Sequence, residues 1–226
     1  MRYKKPEIIY EDSTVLVCRK EAGLAVQTAK SGQADLVSLL KNERAAKGEP
    51  PYIGLIHRLD QPVEGVMVFA KTKAAAASLS GQVRNRDVEK RYLAVTCGIP
   101  QPASGTLCDT LLRDGKTNTS RVVAKGTKGA KEASLDYEVL QTDPEQDLAL
   151  LGINLHTGRH HQIRVQFSHA GYPLYADRKY GKPLPAGTYC PVALCSVKIG
   201  FMHPDTGAEM EFEIEPSGKG FASFFR

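Results

Sequence analysis

GLIHRLDQPVEGVMVFAKT, residues 54–72, places a polar turn between two apolar runs. The second run, VMVFA at 66–70, has the apolar and β-branched composition of a buried strand. Pro62 biases the residue before it toward an extended conformation, so Asp60 is expected on a rigid turn between buried elements. An acid on such a turn is a candidate catalytic group, although an aspartate that caps the turn or pairs with Arg58 is the commoner arrangement.

Strands dominate the rest of the chain, with a few helices between them. Two helices are predicted: one at 34–47, from its leucine spacing, and one at 72–83, with Thr72 as the N-cap. Because strands and helices do not alternate strictly, the pattern favours an α+β fold over a doubly wound parallel one. Short runs bounded by turn residues predict further strands at 7–10, 15–18, 91–97, 120–124, 133–140, 148–155, 192–201 and 210–214.

Composition limits the class of protein. A chain of 226 residues that is 42% hydrophobic can bury a sizeable core, and no internal repeat or long linker divides it. No apolar window approaches the length of a membrane span, and the basic N-terminus lacks the apolar stretch of a signal peptide. The 5 scattered cysteines favour a reducing compartment, and a zinc site at Cys190 and Cys195 is a weak alternative. We therefore expect a cytoplasmic protein that does not enter a membrane.

The net charge of +5 permits a polyanionic partner, and the basic residues are distributed unevenly. Residues 113–131 contain a single acid, Asp114, and three glycines. The basic residues of this stretch are Arg113, Lys116, Arg121, Lys125, Lys128 and Lys131. A flexible basic segment suits contact with phosphates, while a solvated loop or hairpin explains the pattern equally well.

Several common catalytic motifs are missing from the sequence. It contains no G-x-G-x-x-G that opens a helix, no G-x-x-x-x-G-K-[ST] and no G-x-S-x-G. The first two motifs bind dinucleotides and triphosphates, and the third presents a serine nucleophile. The chemistry is therefore expected to need neither kind of bound nucleotide.

Two further segments carry polar residues where a core would favour apolar ones. EKRYLAVTCG, residues 89–98, places Tyr92 beside Lys90 and Arg91 on a strand. The ring could stack on a base between the two cations, or it could simply pack on the sheet. LHTGRHHQIRVQFSHAGYPLYADRKYG, residues 155–181, predicts a turn followed by an amphipathic segment.

Adjacent histidines stand in the second of these segments. Side chains next to each other point to opposite faces of an extended chain and lie about 100° apart on a helix, so His160 and His161 are not expected to share one metal. No H-E-x-x-H spacing supports a metal centre through His57 either. Arg164 lies in an apolar run, and a buried arginine needs an anionic partner, which could be an active-site carboxylate.

The three polar segments, taken in order, resemble the RluA-type family of RNA pseudouridine synthases. HRLD at 57–60 is similar to the catalytic motif of that family, and KRYLAV at 90–95 to its tyrosine motif. Residues 155–181 are similar to its third motif, and HPDTGAEMEFE at 203–213 to its closing strand segment. The resemblance extends from about residue 7 to residue 214 of the chain.

This resemblance implies a pseudouridine synthase fold, with a mixed, mainly antiparallel central sheet flanked by helices and loops. It implies an isomerase that converts a uridine of ribosomal or transfer RNA to pseudouridine with no cofactor and no metal. By the same resemblance Arg58 would replace the flipped nucleotide in the RNA, and Arg164 would be the counter-ion of Asp60. The implied catalytic residues are Asp60, Tyr92 and Arg164, and the implied RNA-binding residues are Arg58, His57, Arg159, His161 and Lys90.

The sequence departs from the family pattern at three places. QPVE at 61–64 stands where many members have a basic residue, an acid, Thr and Ser. Lys20 is not followed by the usual proline, and His160 replaces a common threonine. These changes leave the implied catalytic roles intact, and they concern the substrate and the shape of the uridine pocket.

The expected organisation is a single catalytic domain over residues 1–226, monomeric and without the N-terminal S4-like domain of many relatives. The alternative function is a catalytically silent RNA-binding protein on the same fold. A glycoside- or nucleobase-cleaving hydrolase is less favoured because it normally needs two paired carboxylates, and only Glu64 lies close to Asp60 in sequence.

Overall fold

The computed structural model describes residues 5–30, 32–185 and 187–225. Within these residues the chain forms eleven strands and three α-helices. The strands are β1 Glu7–Glu11, β2 Val15–Lys20, β3 Gly54–Leu55, β4 Glu64–Ala70, β5 Glu89–Cys97, β6 Ser104–Asp114, β7 Thr119–Val122, β8 Lys131–Asp143, β9 Leu148–Leu155, β10 Leu194–Met202 and β11 Glu209–Glu213. The helices are α1 Leu36–Ala46, α2 Lys73–Asn85 and α3 Gln162–His169, and Lys219–Phe221 forms a short 3-10 helix.

The chain divides into two compact units. The first unit is Met1–Lys90 with Ser196–Glu215, and the second unit is Arg91–Cys195 with Pro216–Arg226. No α-helix in the described part of the chain is long and apolar enough to cross a membrane.

The first unit is built around β4, whose seven residues are all buried. β4 pairs antiparallel with β2, with Cys18 opposite Met67, while β1 pairs with the other edge of β2 and β11 pairs with β10. The apolar run predicted from residues 66–70 is therefore a central strand, and β2 and β4 place β-branched residues in one core. That core consists mainly of Val15, Val17, Val66, Val68, Ala75, Leu79, Ile199 and Phe201.

Both helices of the first unit begin at a side-chain cap. Asp35 accepts a hydrogen bond from the backbone N–H of Ser38 at the start of α1, and Thr72 accepts one from Ala75 at the start of α2. These bonds satisfy backbone donors that have no partner inside a helix. The prediction of Thr72 as an N-cap is confirmed.

The second unit contains an antiparallel series of strands in the order β5-β9-β8-β6-β7. β5 pairs with β9 from Arg91 opposite Asn154 to Cys97 opposite Leu148. A small core that contains Val165 of α3 lies between the helix and the strands β6 and β8. The strands therefore position α3, which contains the last three residues of GRHHQIR and directly follows the rest of it.

The α+β class with a mainly antiparallel sheet is confirmed, and so are the predicted strands and helices, to within a few residues at their ends. β6, an eleven-residue strand, was not predicted, nor was the short β3. β6 contains few β-branched residues and carries Asp109 near its middle, so its sequence gives little strand signal. Its pairing with both β8 and β7 makes it a strand.

Candidate active site

Asp60 lies on a closed turn between β3 and β4, as the sequence predicts. The backbone N–H of Val63 donates to the carbonyl of Asp60 at 3.1 Å, which closes the four-residue turn. Asp60 is half-buried, and the preceding Arg58 is exposed. Residues 60–63 are called the catalytic turn below.

The segment that follows β2 binds the catalytic turn from one side. The backbone N–H of Gly23 donates to the carbonyl of Gln61 at 2.8 Å, and the Gln61 side-chain amide donates back to the carbonyl of Gly23 at 3.0 Å. Gln61 is one of the residues that depart from the family pattern, and its side chain thus has a structural partner within the first unit.

Lys20 is fully buried beneath the same turn, with 0% of its surface exposed. Its Nζ donates to the carbonyls of Glu21 at 3.0 Å, Gln61 at 3.0 Å and Val63 at 2.6 Å. Burial lowers the pKa of Lys20 to about 7, against the opposing effect of the negative charges on Asp60 and Glu64. Sequence reasoning did not select Lys20 as a site residue, because a lysine at the end of a strand is ordinarily exposed.

Glu64, the last residue of the departure, has a buried carboxylate. Its Oε2 lies 3.2 Å from Nη2 of Arg19 on the neighbouring strand. The same guanidinium nitrogen donates to the carbonyl of Glu215 at 2.9 Å. The carboxylate is therefore part of an ion pair with β2, which is the arrangement a buried charge requires.

His57 is held as a neutral imidazole. The backbone N–H of Val68 in β4 donates to its Nε2 at 3.2 Å, so the ring proton is assigned to Nδ1. Burial lowers the pKa of His57 to about 3, and the positive charge of Lys90 acts in the same direction. Burial also lowers the pKa of Lys90.

Tyr92 lies in β5 opposite Ile153 and is 6% exposed. The prediction that Tyr92 lies on a strand is confirmed. Its side chain is more buried than expected for a ring that is fully accessible for stacking on a base. The neighbouring Arg91 forms an exposed ion pair with Glu138, with 2.7 Å between Nη2 and Oε1.

Arg164, in α3, has the anionic partner that its burial predicts. Its Nε and Nη2 bind Oδ2 and Oδ1 of Asp177, each at 2.7 Å. Oδ1 of Asp177 also accepts from the backbone N–H groups of Lys179 and Tyr180. Sequence reasoning did not select Asp177, although it is the one acid among the cations of residues 175–182.

The rings of His160 and His161 stack, with centroids 3.7 Å apart and planes 24° apart. Neither the extended nor the helical case considered from the sequence applies, because His161 has a left-handed backbone with φ of 55°. Nδ1 of His160 lies 2.9 Å from the hydroxyl of Ser120, and Nδ1 of His161 lies 2.7 Å from the hydroxyl of Tyr180.

Arg159 is half-buried and makes backbone contacts within the second unit. Its Nε donates to the carbonyl of Glu132 at 2.8 Å, and its backbone N–H donates to Oε1 of Gln162 at 3.0 Å. These bonds join the turn before α3 to β8.

The basic stretch at 113–131 forms the end of β6, all of β7 and the turn into β8. Its six basic side chains are exposed, and Lys125 pairs with Glu132 at 3.5 Å. Its backbone forms a hairpin, which is one of the two structures that the sequence allowed. Contact of this stretch with phosphates stays a prediction. This stretch is called the basic hairpin below.

No group of three or more His, Cys, Asp or Glu side chains within the described ranges is arranged to hold a metal ion. Asp60 belongs to the first unit, whereas Tyr92 and Arg164 belong to the second. Their assembly into one catalytic site, and the pairing of Arg164 with Asp60, stay predictions.

HRLD on the turn before β4, KRYLAV in β5 and GRHHQIR at the start of α3 follow one another along the chain in the order of the RNA pseudouridine synthase motifs. The chain belongs to the RNA pseudouridylate synthase family, whose model matches residues 14–169, and its resemblance to the RluA type is confirmed. Proteins of this class are intramolecular isomerases.

Among curated proteins, the chain is 34% identical to an uncharacterized RNA pseudouridine synthase of Aquifex aeolicus (strain VF5). That alignment covers 93% of this chain and 71% of the relative. The chain is 35% identical to the ribosomal large subunit pseudouridine synthase D of Neisseria meningitidis serogroup B, over 92% of this chain and 57% of that protein.

The fold is that of solved pseudouridine synthases. The human RNA pseudouridylate synthase domain containing 4 superposes with a TM-score of 0.76 at 26% identity, over 93% of this chain and 88% of that one. The human RNA pseudouridylate synthase domain containing 1 gives a TM-score of 0.75 at 23% identity, over 93% and 83% of the respective chains.

Proposed function

We propose that this protein isomerises a specific uridine of ribosomal or transfer RNA to pseudouridine, with Asp60 as its catalytic carboxylate. The observation that carries the proposal is that HRLD, KRYLAV and GRHHQIR occur in the family's order, within the 14–169 match. The name of the Neisseria meningitidis relative favours RNA of the large ribosomal subunit as the substrate.

The reaction breaks the N1–C1′ bond of the uridine and forms a C5–C1′ bond after the uracil turns. N1 takes up a proton and C5 loses one, so the product is an isomer and no electrons enter or leave. Asp60 acts in its ionised form, either by attacking C1′ or by removing a proton from the sugar. Tyr92 packs against the flipped uracil and assists the loss of the proton from C5.

Arg164 is the proposed counter-ion of Asp60. Its orientation is supported by Asp177, which binds Nε and Nη2 and thereby fixes the guanidinium plane. A fixed cation of this kind favours the ionised form of a nearby carboxylate.

Substrate binding is proposed to use residues around the same motifs. Arg58, exposed beside the catalytic turn, fills the space that the flipped nucleotide leaves. The further RNA-binding residues of the proposal are His57, Lys90, Arg159 and His161.

The central test is Asp60→Asn, a nearly isosteric change that removes the charge. RNA extracted from cells that lack the protein is incubated with each variant, and pseudouridines are mapped by chemical modification. We expect Asp60→Asn to bind the RNA as the unmodified protein does and to form no pseudouridine. Asp87→Asn, an exposed carboxylate of the same unit, is the matched control and is expected to retain full activity.

Two results would contradict the proposal. Pseudouridine formation by Asp60→Asn at the unmodified rate would remove Asp60 from the chemistry. Binding of RNA by the unmodified protein, with no new pseudouridine at any site in the cellular RNA, would instead favour the catalytically silent RNA-binding alternative.

A further inference from the structure

We propose that residues 19–23, which are the last two residues of β2 and the three that follow it, form the positioning element of the catalytic turn, with Lys20 as its central residue. This inference rests on the proposed role of Asp60. Residues 19–23 are called the anchor below. Three separate contacts join the anchor to residues 61–64. Two consist of hydrogen bonds to backbone carbonyls, and the third is an ion pair.

The first interaction is the contact of the Lys20 ammonium with the turn. An ammonium group has three N–H donors, and the three carbonyls around Nζ match that number. A neutral amine has two donors and a lone pair, which would face the third carbonyl. The geometry therefore fits the charged form of Lys20, and it fixes the backbone on both sides of Pro62 through the carbonyls of Gln61 and Val63.

The second interaction is the reciprocal pair between Gly23 and Gln61, at 2.8 and 3.0 Å. It ties the residue that directly follows Asp60 to the anchor through both its backbone and its side chain. Because Gln61 is exposed, this bond contributes little to the core and acts mainly on the position of the turn.

The third interaction is the ion pair between Arg19 and Glu64, at 3.2 Å. Glu64 is the first residue of β4 and is 4% exposed, so the pair fixes the place where the turn enters the strand. Gln61 and Glu64 are the two ends of the segment that departs from the family pattern. In this chain both of them bind the anchor.

The consequence concerns the reacting carboxylate. Asp60 stands on a turn, and a catalytic group on a turn is less well fixed than one on a strand or helix. A displacement of about 1 Å can cost about 100-fold in rate, so the anchor is expected to act on the chemical step. A change in the anchor should therefore lower the rate constant of the bound complex more than it weakens RNA binding.

The experiment measures the single-turnover rate constant for pseudouridine formation, with the enzyme in excess over the RNA, and the Kd for the same RNA. The anchor variants are Lys20→Met, which removes the ammonium at similar volume, Gln61→Ala and Glu64→Gln. The control is Lys71→Met, because Lys71 is a second lysine of the same unit with a side chain only 7% exposed, and its ammonium pairs with Glu11 at 2.9 Å, away from the turn.

We expect Lys20→Met to lower the rate constant by about tenfold or more, and Gln61→Ala to lower it by about 2- to 10-fold. Glu64→Gln is expected to fall between these two values. The Kd should change by less than a factor of two in all three variants. Lys71→Met should lose stability toward urea and keep the unmodified rate constant for its folded fraction.

A folded Lys20→Met protein with the unmodified rate constant would overturn the inference. Equal rate losses in Lys20→Met and Lys71→Met would overturn it too, because they would show a general effect of lost stability. If Lys20→Met does not fold, Gln61→Ala decides, since its exposed side chain is not needed for the core, and an unchanged rate constant would then reject the anchor.

Failure of this inference is distinguishable from failure of the proposed function. If Asp60→Asn is inactive and the anchor variants are fully active, only the anchor is wrong. If Asp60→Asn is active, the proposed function fails whatever the anchor variants show.

Discussion

Arg164 and Asp177 form a buried two-point ion pair. The Nε–Oδ2 and Nη2–Oδ1 distances are both 2.7 Å, and the two side chains are 4% and 0% exposed. Two parallel hydrogen bonds fix the plane of a guanidinium as well as its distance. The orientation of the proposed counter-ion of Asp60 is thus determined within the second unit.

Asp177→Asn is expected to destabilise the protein strongly. The change removes the negative charge that binds Arg164 at two points, and breaking a buried ion pair typically costs about 3–5 kcal/mol. Urea unfolding followed by circular dichroism measures the loss. The control is Glu138→Gln, which breaks the exposed pair with Arg91 and is expected to cost less than about 1 kcal/mol. Similar losses in the two variants would contradict the expectation.

Gly65→Ala is expected to destabilise the first unit. Gly65 has a φ of 147°, and an added Cβ would lie 2.6 Å from the backbone nitrogen and 2.7 Å from the backbone oxygen of Ser196. Backbone atoms in a sheet cannot easily move away, so we expect a loss of about 3 kcal/mol in the free energy of unfolding. A stability equal to that of the unmodified protein would disprove the close approach.

Gly81→Ala provides the opposite expectation in the same unit. Gly81 lies inside α2, and an added Cβ there has no atom within 4 Å. Because alanine favours a helix over glycine, the change should stabilise the protein by about 1 kcal/mol. Urea titrations of the two glycine variants should therefore shift in opposite directions.

His57 should make stability depend on pH in the acid range. Its folded pKa of about 3 lies below the ordinary value of 6.5, so the unfolded chain takes up a proton first as the pH falls. The stability that neutral His57 contributes is complete above pH about 6.5 and is lost progressively toward pH about 3. The free energy of unfolding should therefore fall less in His57→Gln than in the unmodified protein when the pH is lowered from 7 to 5. The difference between the two decreases should be about 1–2 kcal/mol.

His169→Gln is the control for this pH experiment, since its ring is exposed. It should show the same change between the two pH values as the unmodified protein. An identical pH dependence in His57→Gln and the unmodified protein would mean that His57 is protonated alike in the folded and unfolded states.

The basic hairpin should contribute to the salt dependence of RNA binding. Arg121 and Lys128 are exposed there, and each contact with a phosphate of single-stranded RNA adds about 0.7 to the slope of log K against log salt. Changing both to Gln should lower the slope by about 1.4, as measured by fluorescence anisotropy at several salt concentrations. Lys41→Gln with Lys73→Gln removes the same charge from exposed helix positions and should leave the slope unchanged. Equal slopes in the two double variants would exclude the hairpin from the RNA contact.

Much of the fold was predictable because its signals are local. The apolar run at 66–70 indicates a buried strand, and β4 is buried throughout. Thr72 indicates a helix start and caps α2 with its side chain. β6 was not predictable in this way, since its polar sequence becomes a strand through pairing with β7 and β8.

The candidate site shows the same division. The motifs that contain Asp60, Tyr92 and Arg164 were found from the sequence, because their residue types and order are themselves the signal. Lys20 and Asp177 were missed, because each acquires its importance from a contact with a segment distant along the chain or across a turn. The stacking of His160 on His161 was not predicted, because the left-handed backbone of His161 is neither extended nor helical and is set by its surroundings.

The sequence by itself determined the family, the α+β class and the motif residues proposed for catalysis, because motif order and hydrophobic pattern are properties of the chain alone. Only the tertiary structure decided which partners the buried charged side chains have. It pairs Arg164 with Asp177, Glu64 with Arg19, and the Lys20 ammonium with three carbonyls. The physical reason is that a buried charge accepts whichever partner the fold brings within reach, and residue spacing does not specify that partner.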